Sequence, residues 1–316
     1  MERKKVNVRE LMEHFNLVQL TGDRDSLNRK VVIPNVSRPG LELAGFLDHA
    51  EPKRVVLIGN KETAYLSSLS DEELETRFDF IFSEETPLAI VSRDIKPHPK
   101  LLEVAKRKNF PVFSTQLTTS EIMVDIVTYL DEVLAITTSV HGVLMNVFGN
   151  GVLIIGESGM GKSEVALELI LMGHSLIADD RVIVSRVKET LVGTAPKLIQ
   201  GMLEIRGIGI INVSQMFGVR SFLEKEDIDF VIEFEKWEDG KEYLRAGIED
   251  QRFFETLGIS IPHLVFPVKE GRNLAVLVES GVRDFMLKKR GIHASKEFDK
   301  RVMEHIQAKN KEQNDD

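Results

Sequence analysis

The stretch Gly156-Glu157-Ser158-Gly159-Met160-Gly161-Lys162-Ser163 fits the phosphate-binding loop pattern G-x-x-x-x-G-K-[ST]. The apolar run 152–155 before it predicts a buried strand, and residues 164–170 after it predict an amphipathic helix. Glycines let successive backbone N–H groups turn inward around an anion, and the helix N-terminus adds partial positive charge. In such a loop Lys162 reaches the outer phosphates and the Ser163 hydroxyl coordinates Mg²⁺. A glycine-rich turn with an incidental lysine is the alternative, which the flanking strand and helix disfavour, so we predict a nucleotide site.

Composition limits the classes of protein to which this chain can belong. Its 316 residues, 42% hydrophobic and 29% charged, are enough for two domains of ordinary globular type. The absence of cysteine excludes disulfide scaffolds, thiolate metal sites and thiol catalysis. With no signal-peptide core and no run of eighteen apolar residues, we expect a soluble cytoplasmic protein with no membrane partner. The formal charge of −9 disfavours nucleic acid as a partner and favours small phosphorylated ligands or proteins.

Alternating apolar and amphipathic segments predict an α/β fold in two domains. Residues 1–132 form an N-terminal α/β domain with parallel strand pairs and no recognisable catalytic cluster. A long amphipathic helix from Thr119 to about Thr137 joins it to the second domain, residues 133–316. There the segments 140–148 and 152–155 predict two strands around an Asn150-Gly151 turn, so the phosphate loop follows a hairpin. The remaining predicted strands include 31–36, 55–58, 88–91, 111–114, 175–178, 182–187, 198–205, 230–234 and 264–268.

A pair of acids, Asp179-Asp180, ends a predicted strand shortly after the loop helix. Adjacent strand residues point to opposite faces, so the two carboxylates cannot share one role. One can face Mg²⁺ or the phosphates while the other faces another group, and a kinase also needs a carboxylate to accept the proton of the attacking hydroxyl. When the pair is considered alone, capping of a turn or helix explains it as well as catalysis does.

Two further polar groups are candidates for the same site. His141 begins the hairpin that leads into the phosphate loop, although a lone histidine is more often structural than catalytic. Glu204 and Arg206 project on the same side of an extended segment that then becomes glycine-rich. A salt-bridged surface strand is the alternative there, whereas in a Mg-nucleotide enzyme Glu204 is a plausible second metal ligand.

Together, and in this order, these motifs resemble the HPr kinase/phosphorylase family. The resemblance covers almost the whole second domain and, more weakly, the first, where residues 37–42 also fit the family. It implies a second domain that is a P-loop kinase of phosphoenolpyruvate-carboxykinase-like type. The specific parts are His141-Gly142-Val143-Leu144, the phosphate loop with Glu164, Gly173-His174, Ala178-Asp179-Asp180, residues 203–213 and Gly271-Arg272-Asn273.

This resemblance implies a bifunctional enzyme of bacterial sugar-uptake regulation. Such an enzyme uses ATP and Mg²⁺ to phosphorylate a serine of HPr, the carrier protein of the sugar phosphotransferase system. In the reverse direction it removes that phosphate with inorganic phosphate and releases pyrophosphate, and it thereby regulates carbon catabolite repression. Similar proteins assemble as homo-hexamers.

The resemblance also implies roles for individual residues. Asp180 takes the proton from the serine hydroxyl and returns one in phosphorolysis, and His141 assists it. Lys162 and Arg245 neutralise the transferred phosphoryl group, while Ser163 and Glu204 hold Mg²⁺. The segment related to phosphorolysis is Pro267, Val268, Lys269, Glu270, Gly271 and Arg272.

The chain departs from the family pattern at several positions, and two other functions stay open. Leu171, Met172 and Ser175 stand where basic residues are typical, and Lys269-Glu270 replaces an Arg-Pro pair, which leaves open the affinity for HPr. A P-loop kinase of a small molecule and a nucleotide-sensing regulatory module are the alternative functions. The effectors that set the direction, the role of the N-terminal domain and the oligomeric state are not indicated by the sequence.

Overall fold

The structure is a computed structural model that describes residues 4–238, 252–269 and 271–312. The chain divides into two compact units, residues 1–136 and 137–316. Both units combine strands and helices, which confirms the two-domain α/β class.

The N-terminal unit carries short strands and mostly short helices. Its strands are β1 (Val6–Asn7), β2 (Val18–Thr21), β3 (Lys30–Val31), β4 (Val36–Ser37), β5 (Val55–Ile58), β6 (Ala89–Val91) and β7 (Val112–Ser114). Its helices are α1 (Val8–His14), α2 (Gly40–Ala44), α3 (Asn60–Leu66), α4 (Asp71–Ile81), α5 (Pro99–Arg107) and α6 (Thr119–Val133).

A sheet with helices on both faces forms the core of the N-terminal unit. Its strand order is β2-β7-β6-β5-β4, with parallel pairing from β4 to β7 and β2 antiparallel at the edge. Val56 and Ile58 face the core with α4 and α5, whereas Val55 and Leu57 face the core with α6 and α1. Because both faces of β5 are covered, this strand is apolar at every position, as buried parallel strands are.

The C-terminal unit is richer in strands. They are β8 (Ile136–His141), β9 (Val143–Val147), β10 (Asn150–Gly156), β11 (Ser175–Ala178), β12 (Arg181–Val187), β13 (Thr190–Thr194), β14 (Met202–Ile205), β15 (Gly209–Asn212), β16 (Lys225–Asp227), β17 (Phe230–Lys236), β18 (Arg252–Thr256) and β19 (Ile259–Val268). Its helices are α7 (Lys162–Leu171), α8 (Val213–Phe217), α9 (Leu274–Lys289) and α10 (Ala294–Glu312).

A central mixed sheet of order β11-β9-β10-β17-β19-β18 organises this unit. Strands β10, β17 and β19 run parallel, and β9 pairs antiparallel with β10. One face of the sheet, with Ile154 and Ile232, packs against α7 and α9, while the other face, with Leu153 and Val231, packs against a second sheet of order β16-β13-β12-β8. The alternation of side chains along β10 and β17 therefore sorts their residues between two cores.

The hairpin before the phosphate loop is confirmed, but its turn is not at Asn150-Gly151. Asn150 already pairs with Val147, and the turn residues are Phe148 and Gly149, with φ of 53° and 78°. Gly151 lies within β10, where an added Cβ would stand 1.8 Å from the carbonyl oxygen of Asp227. This glycine permits a close approach of two backbone segments and does not make the turn.

Three predicted strands are interrupted. Residues 140–148 divide between the end of β8 and β9, with Gly142 between them. Residues 31–36 divide into β3 and β4, because Pro34 between them has no N–H to donate to a ladder. Residues 198–205 begin with a short 3₁₀ helix at Lys197–Ile199, and only Met202–Ile205 is a strand. Gly201, with φ of 71°, makes the bend before it. Across the described part of the chain, no helix is long and apolar enough to cross a membrane.

Candidate active site

The phosphate loop has the backbone that its sequence predicts. It follows β10 and leads into α7, and Gly156, Gly159 and Gly161 have φ of 145°, 87° and 81°. A Cβ at Gly156 would stand 2.6 Å from the carbonyl oxygen of Phe234 on the neighbouring strand β17. Residues with side chains rarely adopt these conformations, so the loop shape depends on its glycines. The shape leaves the N-terminus of α7 facing the cleft as an anion site.

Lys162, the first residue of α7, is buried and lies across its own loop. Its ammonium donates hydrogen bonds to the carbonyl oxygens of Gly156 at 2.8 Å and Glu157 at 2.9 Å. Burial lowers the pKa of this ammonium, and the charges of Asp180 and Asp179 act in the opposite direction. The cation is thus held at the mouth of the loop, where a phosphate oxygen can replace a carbonyl oxygen as acceptor.

Asp179 is a buried carboxylate attached to the phosphate loop. The hydroxyl of Ser163 donates to its Oδ1 at 2.9 Å and lies 3.2 Å from Oδ2, which also accepts the backbone N–H of Glu204 at 3.2 Å. Burial raises the pKa of Asp179, and the hydrogen bonds from Glu204, Ser163 and the backbone of Asp180 partly oppose that rise. The carboxylate is therefore a fixed acceptor next to the Ser163 hydroxyl.

Asp180 differs from Asp179 in its backbone conformation, its exposure and its hydrogen-bond partners. Its φ is 63° and its side chain is 73% exposed, so the carboxylate faces the open cleft. Nδ1 of His141 lies 3.1 Å from Oδ1 of Asp180 and 2.9 Å from its carbonyl oxygen, so in this arrangement that nitrogen is the donor. The N–H of Gly142 donates to the same carbonyl oxygen at 3.1 Å. Three contacts from His141 and Gly142 thus fix the backbone and carboxylate of Asp180.

A hairpin supplies the opposite wall of the cleft. Glu204 lies on β14, and Arg206 lies in the turn between β14 and β15. Both side chains line the same cleft as the phosphate loop, and it encloses about 180 Å³. Its lining is His141, Ser158, Gly159, Gly161, Lys162, Ser163, Glu164, Asp179, Asp180, Glu204 and Arg206. Cations, carboxylates and loop N–H groups therefore face one space of phosphate size.

The donor atoms in this cleft fit Mg²⁺. Across the described residues, no group of three or more His, Cys, Asp or Glu forms a ready-made metal cluster. The oxygens that line the cleft include those of Ser163, Asp179 and Glu204. Mg²⁺ is usually bound by one or two protein carboxylates together with substrate phosphates and waters, so this sparse oxygen set suits it.

Comparison with known proteins assigns the chain. The family models described as "HPr Serine kinase N terminus" and "HPr Serine kinase C-terminal domain" match residues 6–130 and 132–302. The chain belongs to the HPr serine kinase family. HPr kinase/phosphorylase of Geobacillus thermodenitrificans (strain NG80-2) is 40% identical over 304 residues, which are 96% of this chain and 98% of that protein.

Two further relatives belong to the same comparison. HPr kinase/phosphorylase of Caldicellulosiruptor bescii is 41% identical over 300 residues, which are 95% of this chain and 96% of that protein. Among solved structures, the Hpr(Ser) kinase/phosphatase from Coxiella burnetii aligns with a TM-score of 0.46 and 34% identity, over 49% of this chain and 93% of that chain.

The structure brings together most of the site residues expected for an HPr serine kinase. His141, Lys162, Ser163, Asp180 and Glu204 all line the cleft. Within the loop, Gly156 and Glu157 contribute the carbonyl oxygens that hold the lysine, whereas the Met160 side chain packs against the core.

The remaining expected residues either fall outside the described part of the chain or do not line the cleft. Arg245 and Glu270 are outside the described residues. Pro267 and Val268 end β19, and Lys269 and Arg272 follow it but do not line the cleft.

Sequence reasoning missed three features of the site. The bond between Asp179 and Ser163 assigns a specific place to the first aspartate, which the sequence left interchangeable with the second. Arg206 lines the cleft, although it had been assigned no role beyond its place in the motif of residues 203–213. Trp237 lies against Lys269 and Arg272, and nothing in its sequence surroundings indicated this contact.

Proposed function

We propose that this chain is an ATP- and Mg²⁺-dependent protein-serine kinase that phosphorylates HPr, and a phosphorylase that removes that phosphate with inorganic phosphate to give pyrophosphate. The family membership supports the reaction class. The observation that carries the proposal is the exposed Asp180 carboxylate, fixed by His141 at 3.1 Å on the same cleft as the phosphate-loop Lys162. An exposed base beside a phosphate site suits a protein hydroxyl as acceptor.

In the kinase direction, Asp180 accepts the proton of the serine hydroxyl while the serine oxygen attacks the γ-phosphorus of ATP and ADP leaves. Lys162 and the loop N–H groups bind the phosphate oxygens and stabilise the charge on the transferred group. His141 holds the Asp180 carboxylate through Nδ1–H. Ser163, Asp179 and Glu204 would hold Mg²⁺, which neutralises phosphate charge when bound.

In the phosphorylase direction, an oxygen of inorganic phosphate attacks the phosphorus of phosphoserine. The bond between phosphorus and the serine oxygen breaks, and Asp180, now protonated, returns its proton to that oxygen. The product is pyrophosphate and free serine. Microscopic reversibility requires that the base of one direction be the acid of the other, so one carboxylate serves both.

The two aspartates have different roles because their environments differ. Asp179 is buried and bonded to Ser163, so it serves the loop and the cation, whereas Asp180 is exposed and open to a protein substrate. On the family resemblance we extend the proposal to Arg245 as a second cation on the phosphoryl group and to Pro267–Arg272 in phosphorolysis. The same resemblance supports a phosphoenolpyruvate-carboxykinase-like catalytic domain, a homo-hexamer, a cytoplasmic location and a part in carbon catabolite repression.

Incubation with ATP, Mg²⁺ and HPr tests the kinase proposal. We expect the intact mass of HPr to rise by one phosphoryl group at a single serine, and HPr with that serine changed to alanine to stay unmodified. ATP consumption without transfer to HPr would favour a small-molecule kinase. Binding of Mg-ATP with no turnover would favour a regulatory module.

A further inference from the structure

The parallel strands of the N-terminal unit end beside a polar cluster that the proposed reaction does not use. Arg38 follows β4, Gly59 follows β5 and Ser92 follows β6. These strands are parallel neighbours in the sheet, so their carboxyl ends meet at one edge. The fourth parallel strand, β7, leads from the same edge into α6. Three segments that are distant in sequence and the N-terminus of a helix therefore share this edge.

The connections after β6 and β7 leave this edge toward opposite faces of the sheet. The helix after β6, α5, packs with Val104 in the core on one face, whereas α6 packs with Ile126 in the core on the other face. In open α/β sheets, ligands bind in the crevice beyond the carboxyl ends of the strands, at the point where the connections part in this way. The topology thus indicates a binding crevice between the segment that begins at Ser92 and the N-terminus of α6.

Hydrogen bonds and close contacts join the groups around this N-terminal crevice. The Ser92 side chain is buried, and its hydroxyl lies 2.7 Å from the hydroxyl of Thr119 in the first turn of α6. Gly59 lies against the same pair, because a Cβ on it would stand 2.5 Å from Thr119 Oγ1. The N–H of Arg93 donates to the carbonyl oxygen of Leu117 at 2.9 Å. The segments after β5, β6 and β7 are therefore in direct contact.

A buried carboxylate holds Arg38 in this cluster. The side chain of Glu62 is 6% exposed, and it accepts the N–H of Gly59 at 2.9 Å and the Nε and Nη2 groups of Arg38 at 3.1 and 2.8 Å. Among the described residues, Nη1 of Arg38 has no hydrogen-bond partner, and 41% of its side chain is exposed. Desolvation offsets much of the attraction in such a pair, so stability alone explains it poorly. The carboxylate instead orients a guanidinium whose remaining N–H groups are open to a ligand.

Arg93 is a second guanidinium at the crevice. Its side chain is exposed, and the ion pairs found among the described residues do not include it. Hydrogen bonds from the backbone and hydroxyl of Thr118 lower the pKa of Glu121 in the first turn of α6, and the positive charge of Arg93 lowers that pKa further. The Arg93 guanidinium therefore lies near the N-terminus of this helix.

These groups together suit a phosphate. Guanidinium groups bind phosphate oxygens through paired N–H donors, because their planar geometry matches that of the oxygens. The 15-residue helix α6 adds partial positive charge and free backbone N–H groups at its N-terminus, which is a favourable position for an anion. The chemistry of the crevice therefore indicates an anionic ligand and not a metal ion or an apolar molecule.

We propose that the N-terminal crevice is a second binding site, in which the phosphate group of a small phosphorylated molecule accepts hydrogen bonds from Arg38, Arg93 and the N-terminus of α6. Glu62 is a positioning residue that acts through Arg38. This site goes beyond the proposed function, and it stands or falls independently of the kinase and phosphorylase reactions.

Calorimetry with pyrophosphate tests the site in the full chain. The variant Lys162→Met removes the phosphate-binding lysine of the catalytic cleft, and in this background we expect saturable pyrophosphate binding. Potassium chloride at the same ionic strength should give no saturable heat. Addition of Arg93→Gln should weaken the binding about tenfold, because a charge-assisted hydrogen bond is lost. Absence of saturable binding in Lys162→Met, or an affinity that Arg93→Gln leaves unchanged, would overturn the proposal.

Arg38 requires variants that keep the buried carboxylate paired or remove its charge. Arg38→Gln alone leaves Glu62 without a partner, which is strongly destabilising. The double variant Arg38→Gln, Glu62→Gln removes both charges and should weaken pyrophosphate binding about tenfold. Arg38→Lys keeps a positive charge beside Glu62 but lacks the planar pair of donors, so it should also lose affinity. Full affinity in both variants would remove Arg38 from the site and overturn the proposal.

Arg107→Gln is the matched control. It removes another arginine of the N-terminal unit, which lies on α5 and pairs with Glu75 and Asp79. In the Lys162→Met background it changes the net charge by the same amount as Arg93→Gln and should leave the affinity for pyrophosphate unchanged. An equal loss of affinity in Arg107→Gln and Arg93→Gln would show a general effect of charge and contradict a site at the crevice.

Discussion

Asp180→Asn tests the chemistry of the site without disturbing the fold. Asp180 has φ of 63°, a left-handed conformation that asparagine tolerates well, and its carboxylate is exposed. The variant keeps the shape of the side chain and an oxygen that can accept from His141. It loses the capacity to take the proton of the serine hydroxyl. A positioned general base contributes about 10²- to 10⁴-fold, so we expect kcat to fall by that factor, which raises the barrier by about 3 to 5 kcal/mol.

The effect of Asp180→Asn on stability should be small. The contact with His141 is solvent-exposed on both sides, and pairs of this kind contribute about 1 kcal/mol or less. Asp180→Ala, in contrast, loses the local support of a polar side chain in the left-handed region, which costs about 1 to 2 kcal/mol. Asparagine is therefore the informative substitution, and alanine confounds chemistry with folding.

The assay for Asp180→Asn is single-turnover phosphorylation of HPr, and phosphorolysis of phosphorylated HPr, at saturating ligand concentrations. Asp94→Asn in the N-terminal unit is the control, because Asp94 is also exposed and also left-handed, with φ of 51°. It should leave both rates unchanged. If Asp180→Asn retained full kinase activity, the assignment of Asp180 as the base would be wrong.

Four further substitutions probe the loop and the sheet. Burial raises the pKa of Asp179 in the folded protein above its value in the unfolded chain, so ionisation of this carboxyl lowers the free energy of unfolding. This loss of stability is absent below the unfolded pKa and grows as the pH rises through the folded pKa. At pH 7 the Tm of Asp179→Asn should equal or exceed that of the parent protein, although the variant should lose Mg²⁺-dependent activity. The difference in Tm between the two proteins should vanish on acidification. A lower Tm of the variant at pH 7 would contradict this prediction. Gly151→Ala places a Cβ 1.8 Å from the Asp227 carbonyl oxygen and should prevent folding, as circular dichroism would show. In contrast, Gly149→Ala meets no atom within 4 Å and should cost about 1 kcal/mol of left-handed strain in urea unfolding. Lys162→Met should abolish ATP binding in calorimetry and leave the Tm unchanged or higher, because it removes a buried charge.

The phosphate loop could be predicted from sequence because its determinants are local. The glycines, the strand before them and the helix after them lie within a short segment, and the structure confirms all of these features. Separate environments for Asp179 and Asp180 were predicted from strand alternation, but both residues follow the end of β11, and the left-handed backbone of Asp180 separates them instead. The partners of Asp179 were not predictable, because the Ser163 hydroxyl and the Glu204 N–H reach it only through tertiary packing.

Errors in the fold arose where tertiary contacts override local turn chemistry. Asn150-Gly151 is a strong turn signal, yet close packing against Asp227 requires the glycine inside β10. Strand β19 begins at Ile259 and not at 264, because Pro262, which normally disfavours a strand, is accommodated opposite Phe253 of β18.

In the proposed mechanism one cleft transfers a phosphoryl group in both directions, with phosphate and not water as the acceptor in reverse. The most direct measurement supplies serine-phosphorylated HPr with inorganic phosphate and quantifies pyrophosphate and free HPr together. We expect one pyrophosphate for each HPr released, and loss of both products in Asp180→Asn. Release of HPr without pyrophosphate, at a rate independent of phosphate concentration, would show hydrolysis by water and refute phosphorolysis in this cleft.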